Sequence, residues 1–196
     1  MTEQVKSRWE YFKQYYHHWP ELGVSLDLSC MGMEEAFFRR MEPVMQKAFS
    51  AMAELEAGAI ANPDEKRMVG HYWLRNPALA PQRDIQDSIQ TTWEQIERFA
   101  AAVHTGMIKG AGGRFRNLLI IGIGGSALGP QFVARALAIP GRRQMNTYFI
   151  DNTDPDGVDL VLAELGSSLS VTLCLVISKS GGTKETRNGM LEVEQA

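Results

Sequence analysis

Cysteine is nearly absent from this chain: Cys30 and Cys174 are the two in 196 residues, and neither belongs to a Cys-x-x-Cys pair. That excludes a disulfide-built scaffold and suits a reducing, cytoplasmic setting. Histidine is scarce as well, and His17-His18, His71 and His104 lack Cys or acidic partners at metal-ligand spacing. No metal is expected. Neither sign of charge dominates, since 20 Lys and Arg against 23 Asp and Glu leave a formal net charge of −3. A nucleic-acid partner, which calls for a basic excess, is not expected. Long apolar runs are missing too. The longest, Leu118–Pro130, is interrupted by glycines and too short to cross a bilayer, and Met1–Arg8 holds no apolar signal core. Neither secretion nor a membrane partner is expected.

What remains is a composition of 44% hydrophobic and 22% charged residues, that of a soluble globular protein long enough to bury a working core. Residues 1–108 read as a largely helical segment. Apolar side chains recur at three- and four-residue spacing through Val5, Trp9 and Phe12, through Phe37, Met41, Val44 and Ala48, and through Ile85, Ile89, Trp93 and Ile96. Pro43 marks a helix start or a kink, Asn62–Glu65 resembles a helix entry, and Asn76–Pro81 an extended link. His17-His18 read as a helix end, and the neighbouring aromatics Trp9, Tyr11, Phe12, Tyr15 and Tyr16 as packing residues.

The pattern changes near Gly106. Lys109–Arg116 is a basic, glycine-rich loop, and Asn117–Gly122 a first buried strand. Strand-like 147–150 and 171–177 follow, separated by helical 127–138 and 155–165, with a last helix over 183–196. Apolar strands alternating with helices predict an α/β fold, a three-layer αβα sandwich on a parallel sheet, over residues 109–196. Cys174, inside the third strand, is expected to be an inert buried thiol. The last helix stops without a cap, and three strands leave an open edge, so further strands are expected beyond it.

Two turns carry chemistry. Gly122-Ile-Gly-Gly-Ser126 and Ser178-Lys-Ser-Gly-Gly-Thr183 each stand where a buried strand gives way to a helix. A helix N-terminus offers unpaired N–H groups and the positive end of its dipole, which suits a phosphate. Ser178, Ser180 and Thr183 add hydroxyls, and Lys179 adds a backbone N–H and long-range attraction. The first turn by itself is ambiguous. Gly122-x-Gly124-x-x-Ala127 also satisfies a relaxed dinucleotide fingerprint, with Asp151 ending the second strand as a ribose-binding acid. Against it, Asp151 follows Gly122 by 29 residues where about 20 is usual. No Walker lysine follows the first turn, since Gly122–Pro130 lacks a Gly-Lys-Ser/Thr ending, which disfavours nucleotide triphosphate hydrolysis. Both turns follow strands of one parallel sheet and so belong to its carboxyl edge, where they can serve one pocket.

Ile121–Pro130, Ser178–Thr186 and the upstream His71-Tyr-Trp-Leu-Arg-Asn-Pro-Ala-Leu-Ala-Pro81 resemble the glucose-6-phosphate isomerase family, over essentially the whole chain. The resemblance implies a flavodoxin-like sugar-isomerase domain, truncated at its C-terminal end, and reversible aldose–ketose isomerisation of glucose 6-phosphate and fructose 6-phosphate without metal or organic cofactor. It assigns Gly125 and Ser126 to the sugar, Ser178, Lys179, Ser180 and Thr183 to the phosphate, and Glu185 to pocket support. The family's catalytic glutamate, ring-opening histidine, late lysine and Gly-Gly-Arg-aromatic-Ser arginine all follow the phosphate loop, so no catalytic residue is expected here. Gly112-Gly-Arg-Phe115 mimics the arginine motif but reads as a surface loop. The family pattern also implies a homodimer for the full-length protein. A sugar-phosphate-sensing module and, less favoured, a dinucleotide-binding oxidoreductase domain are the alternatives.

Overall fold

The computed structural model describes residues 3–139, 141 and 144–196, with side chains from Ser7 onward. Met1, Thr2 and the Val5 side chain, which the helical reading includes, lie outside the described residues. The chain divides into two compact units, Met1–Gln90 and Thr91–Ala196.

The first unit starts with helix α1 (Glu3–Tyr15), followed by an antiparallel hairpin of β1 (Tyr16–Trp19) and β2 (Val24–Asp27). His17 and His18 are therefore strand residues, correcting the helix-end reading. Pro20 opens a single 3-10 turn and Gly23, at φ 62°, closes it, which returns the chain on itself. The aromatics do pack. Rings of Trp9 and Phe12 lie 5.3 Å apart, Phe12 and Tyr16 5.1 Å, and Tyr15 and Phe38 5.5 Å. Tyr15 thus ties α1 to helix α2 (Glu35–Glu56). Pro43 lies inside α2 and neither starts nor ends it.

A second hairpin, β3 (Ile60–Asn62) with β4 (Arg67–Met68), replaces the helix entry expected at Asn62–Glu65. Asn62 Oδ1 accepts the Glu65 N–H at 3.1 Å, as a helix cap would, but Lys66 at φ 51° turns the chain back. Trp73, 3% exposed, seals the region by donating its Nε1–H to the Glu56 carbonyl at 2.9 Å. Asn76–Pro81 is a 3-10 turn (Pro77–Leu79), not an extended link. Helix α3 (Arg83–Thr105) follows, and the division between the units falls within it.

The second unit has the expected α/β order. Strands β5 (Asn117–Ile121), β6 (Asn146–Ile150) and β7 (Thr172–Val176) form a parallel sheet in the order β6-β5-β7. Helix α4 (Gly125–Ala136) connects β5 to β6, α5 (Pro155–Leu165) connects β6 to β7, and α6 (Lys184–Gln195) follows β7. Alternation along β5 sends Leu119 and Ile121 to one face, where with Ile150 they meet Val158 and Leu165 of α5 and Val193 of α6. Each such buried side chain contributes roughly 1.5–3 kcal/mol. Asp151 points to the opposite face and accepts from Gln131 of α4 at 2.7 Å, so helices cover both faces. Cys174 departs from expectation: it is exposed on β7, an edge strand. Its neighbours still desolvate it enough to hold the thiol above its ordinary range.

A polar ladder sets the register. Asn117, Asn146 and Thr172 open the three strands, with Asn117 the register partner of each of the other two. Asn117 Nδ2 donates to Thr172 Oγ1 at 3.2 Å, and Asn117 Oδ1 accepts from Asn146 Nδ2 at 3.1 Å. Because Asn117 is 3% exposed, Asn117→Ala should strand its neighbours' polar atoms and cost about 1–3 kcal/mol. A urea titration should show a lower midpoint with an unchanged slope.

Candidate functional site

Ile121 and Val176 are register partners, so β5 and β7 finish level and their turns leave the sheet side by side. The Ile177 N–H donates to the Ile121 carbonyl at 2.8 Å, just past the ladder, and the Gly122 N–H to the Ile150 carbonyl at 3.1 Å. The two turns touch. A methyl group added at Gly122 would lie 3.0 Å from Ser126 Cβ and 3.2 Å from the Ile177 carbonyl oxygen, so glycine is what lets the first turn pass the second. Gly124, at φ 57° and ψ −126°, makes a bend closed to residues with a Cβ. Its carbonyl accepts from the N–H groups of Ala127 and Leu128 at 3.0 and 2.9 Å. Helix α4 therefore starts at once, with exposed Gly125 and half-buried Ser126 in its first turn.

In the second turn three hydroxyls converge. Ser178 Oγ lies 3.1 Å and Ser180 Oγ 3.5 Å from Thr183 Oγ1. The Gly181 N–H donates to Ser178 Oγ at 3.0 Å and the Gly182 N–H to Ser180 Oγ at 3.2 Å. Thr183 precedes α6 but turns its hydroxyl to the serines instead of capping the helix. Lys179 is exposed on the loop, and Glu185 is exposed in the first turn of α6, where an acid complements the helix dipole. Two helix N-termini and three hydroxyls at one sheet edge can hold an anion and a hydroxylated body beside it.

The surroundings narrow the chemistry. Both Asp151 oxygens are engaged, one by Gln131 at 2.7 Å and the other by Asn152 Nδ2 at 3.1 Å, which leaves that carboxylate ill-placed to grip a ribose. A cleft of about 380 Å³ between α5 and α6 is lined by Asn152, Asp159, Asn188 and Glu192, and its lining holds no Lys or Arg. Two carboxylates would repel a phosphate there. Gly112–Phe115 lies at the amino end of β5, the opposite edge, where the Arg114 guanidinium donates to the His104 carbonyl. Among the described residues no group of three or more His, Cys, Asp or Glu is arranged to hold a metal. No helix among them is long and apolar enough to cross a membrane.

Two residues escaped the sequence reading. Gln131 carries no periodic signal, because its role depends on where α4 meets β6. Thr186 ends the Ser178–Thr186 stretch with no role of its own in the sequence reading, yet it is buried, and its hydroxyl has no hydrogen-bond partner among the described residues.

Known proteins resemble this chain closely. The family profile described as Phosphoglucose isomerase matches residues 33–195. A Glucose-6-phosphate isomerase of Geotalea daltonii is 57% identical over 189 residues, 96% of this chain and 36% of that protein. The Synechococcus elongatus protein of the same name is 56% identical over 96% of this chain and 36% of its own length. That of Geobacter sp. is 55% identical over 98% of this chain and 36% of its own. The chain thus spans about a third of the length of the curated relatives it matches.

Since a side chain at Gly122 must push either Ser126 or the Ile177 carbonyl aside, Gly122→Ala should lower stability by about 1–3 kcal/mol. Thermal unfolding measures the loss, and amide shifts at Ser126 and Ser178 should move together.

Proposed function

The chain belongs to the phosphoglucose isomerase family, and on that premise we propose that its two turns bind a hexose 6-phosphate. The observation that carries the reading is the convergence of Ser178, Ser180 and Thr183 hydroxyls at the start of α6, beside the first turn of α4. Ser178, Lys179, Ser180 and Thr183 hold the phosphate; Gly125 and Ser126 face the sugar; Glu185 supports the pocket edge.

Binding is an exchange. Within the loop the Gly181 and Gly182 N–H groups donate to serine hydroxyls, and the Ser178 and Thr183 hydroxyls bond each other. A phosphate replaces these with charge-assisted bonds, roughly twice as strong as neutral ones. The loop needs no unsatisfied donor to wait for its ligand, so specificity is obtained without a large standing cost in stability.

The likeness to glucose-6-phosphate isomerases supports reading this anchoring as part of a reversible aldose–ketose isomerisation of glucose 6-phosphate and fructose 6-phosphate. Ring opening is followed by proton transfer between C2 and C1 through a cis-enediol, which calls for a general base and stabilisation of developing negative charge but no metal or organic cofactor. This chain supplies orientation: binding energy from the non-reacting phosphate aligns the reacting carbons. The catalytic base is assigned to no residue in it. The complete protein is proposed to be a cytoplasmic homodimer.

Calorimetric titration with fructose 6-phosphate, run beside NAD, tests the reading. The sugar phosphate should bind, NAD should not, and Ser178→Ala/Thr183→Ala should weaken binding by at least about tenfold, the worth of one charge-assisted bond. Binding of NAD alone would overturn the reading in favour of a dinucleotide fold. The purified chain should show no turnover of fructose 6-phosphate; turnover that disappears with Ser178→Ala would contradict the assignment of an anchoring role only.

A further inference from the structure

Thr186 is 4% exposed, and its Oγ1 is buried without a hydrogen-bond partner among the described residues. A buried hydroxyl in that state costs stability, and an apolar residue of the same shape would be cheaper. Its place in the fold explains what it is for. On α6, Gly189 packs so close to β5 and β6 that an added methyl group would lie 3.1 Å from Cγ2 of both Ile121 and Ile150. Thr186 precedes Gly189 by three positions and shares its sheet-facing side. Helix α6 starts from the carboxyl edge, so three residues at about 1.5 Å rise each carry Thr186 beyond the end of β5, level with the Gly122–Gly124 turn. It therefore stands between the helix that begins with the phosphate loop and the turn that faces the sugar.

We propose that Thr186 is a positioning residue of the hexose-phosphate site: when the phosphate loop is occupied, its hydroxyl hydrogen-bonds the backbone of the Gly122–Gly124 turn and holds Gly125 and Ser126 in line with the anchored phosphate. The proposal rests on the reading of the site as a sugar-phosphate pocket. It assigns the buried Thr186 hydroxyl a partner that binding brings within reach. Thr186 touches the turn and not the substrate.

The test compares the unaltered chain with Thr186→Val, Thr186→Ser and Ser178→Ala, each by thermal unfolding and by calorimetric titration with fructose 6-phosphate. Thr186→Val keeps the shape and removes the hydroxyl. It should melt at or above the temperature of the unaltered chain yet bind about tenfold more weakly, the effect of one lost hydrogen bond. Thr186→Ser, which restores the hydroxyl, should bind like the unaltered chain. A role in packing alone predicts the reverse, with Thr186→Ser the variant that suffers. If Thr186→Val binds as tightly as the unaltered chain while Ser178→Ala binds poorly, the positioning role is wrong and the pocket reading stands. If Ser178→Ala binds normally, or the unaltered chain does not bind at all, the pocket reading falls and takes the proposal with it.

Discussion

The level ending of two adjacent parallel strands is the constraint on which the site depends. Parallel pairing makes Ile121 and Val176 partners, and the Ile177 N–H extends the bonding one residue beyond the ladder by donating to the Ile121 carbonyl. A slip of one residue would turn Leu119 and Ile121 away from α5 and α6 and separate the two turns. Register is held at the other end of the sheet by buried Asn117, which bonds exposed Asn146 on one side and buried Thr172 on the other. The polar amino edge and the glycine-rich carboxyl edge are thus parts of one device. The first fixes where the strands start, and the second uses where they stop.

Glycine has two different tasks at that edge. At Gly122 the missing side chain leaves room for Ser126 and the Ile177 carbonyl; at Gly124 it permits a backbone conformation that starts α4 immediately. Hydroxyls do the complementary work in the second turn. They satisfy one another and two backbone N–H groups, which keeps a dense cluster of polar groups from destabilising the fold. Thr186, buried with no partner for its hydroxyl among the described residues, departs from that economy, and it is this exception that our proposal assigns to function.

Much of the second unit was legible in advance because its signals are local and strong. The runs read as strands, 117–122, 147–150 and 171–177, are largely apolar and bounded by turn residues, and helix α5 begins at Pro155, a residue preorganised for a first helical turn. The first unit was harder. Tyr16–Trp19 follows a helical pattern without a break in polarity, and only pairing with Val24–Asp27 makes it a strand. Asn62-Pro63-Asp64 carries the same side-chain chemistry as a helix cap, and Lys66 at a positive φ decides for a hairpin. Cys174 looked buried because its neighbours in sequence are apolar, but β7 lies at the edge of the sheet and strand order is not encoded locally.

The residues alone determined the α/β alternation, the two strand-to-helix turns, the hydroxyl and glycine content of each, and the family to which the chain belongs. All of these follow from spacing and side-chain chemistry along a few turns of chain. Tertiary structure decided that the turns touch, that Asp151 is held by Gln131, and that Thr186 is buried with no hydrogen-bond partner for its hydroxyl among the described residues. Those facts depend on the order of strands and the depth at which α6 meets the sheet, which arise from packing between residues far apart in sequence.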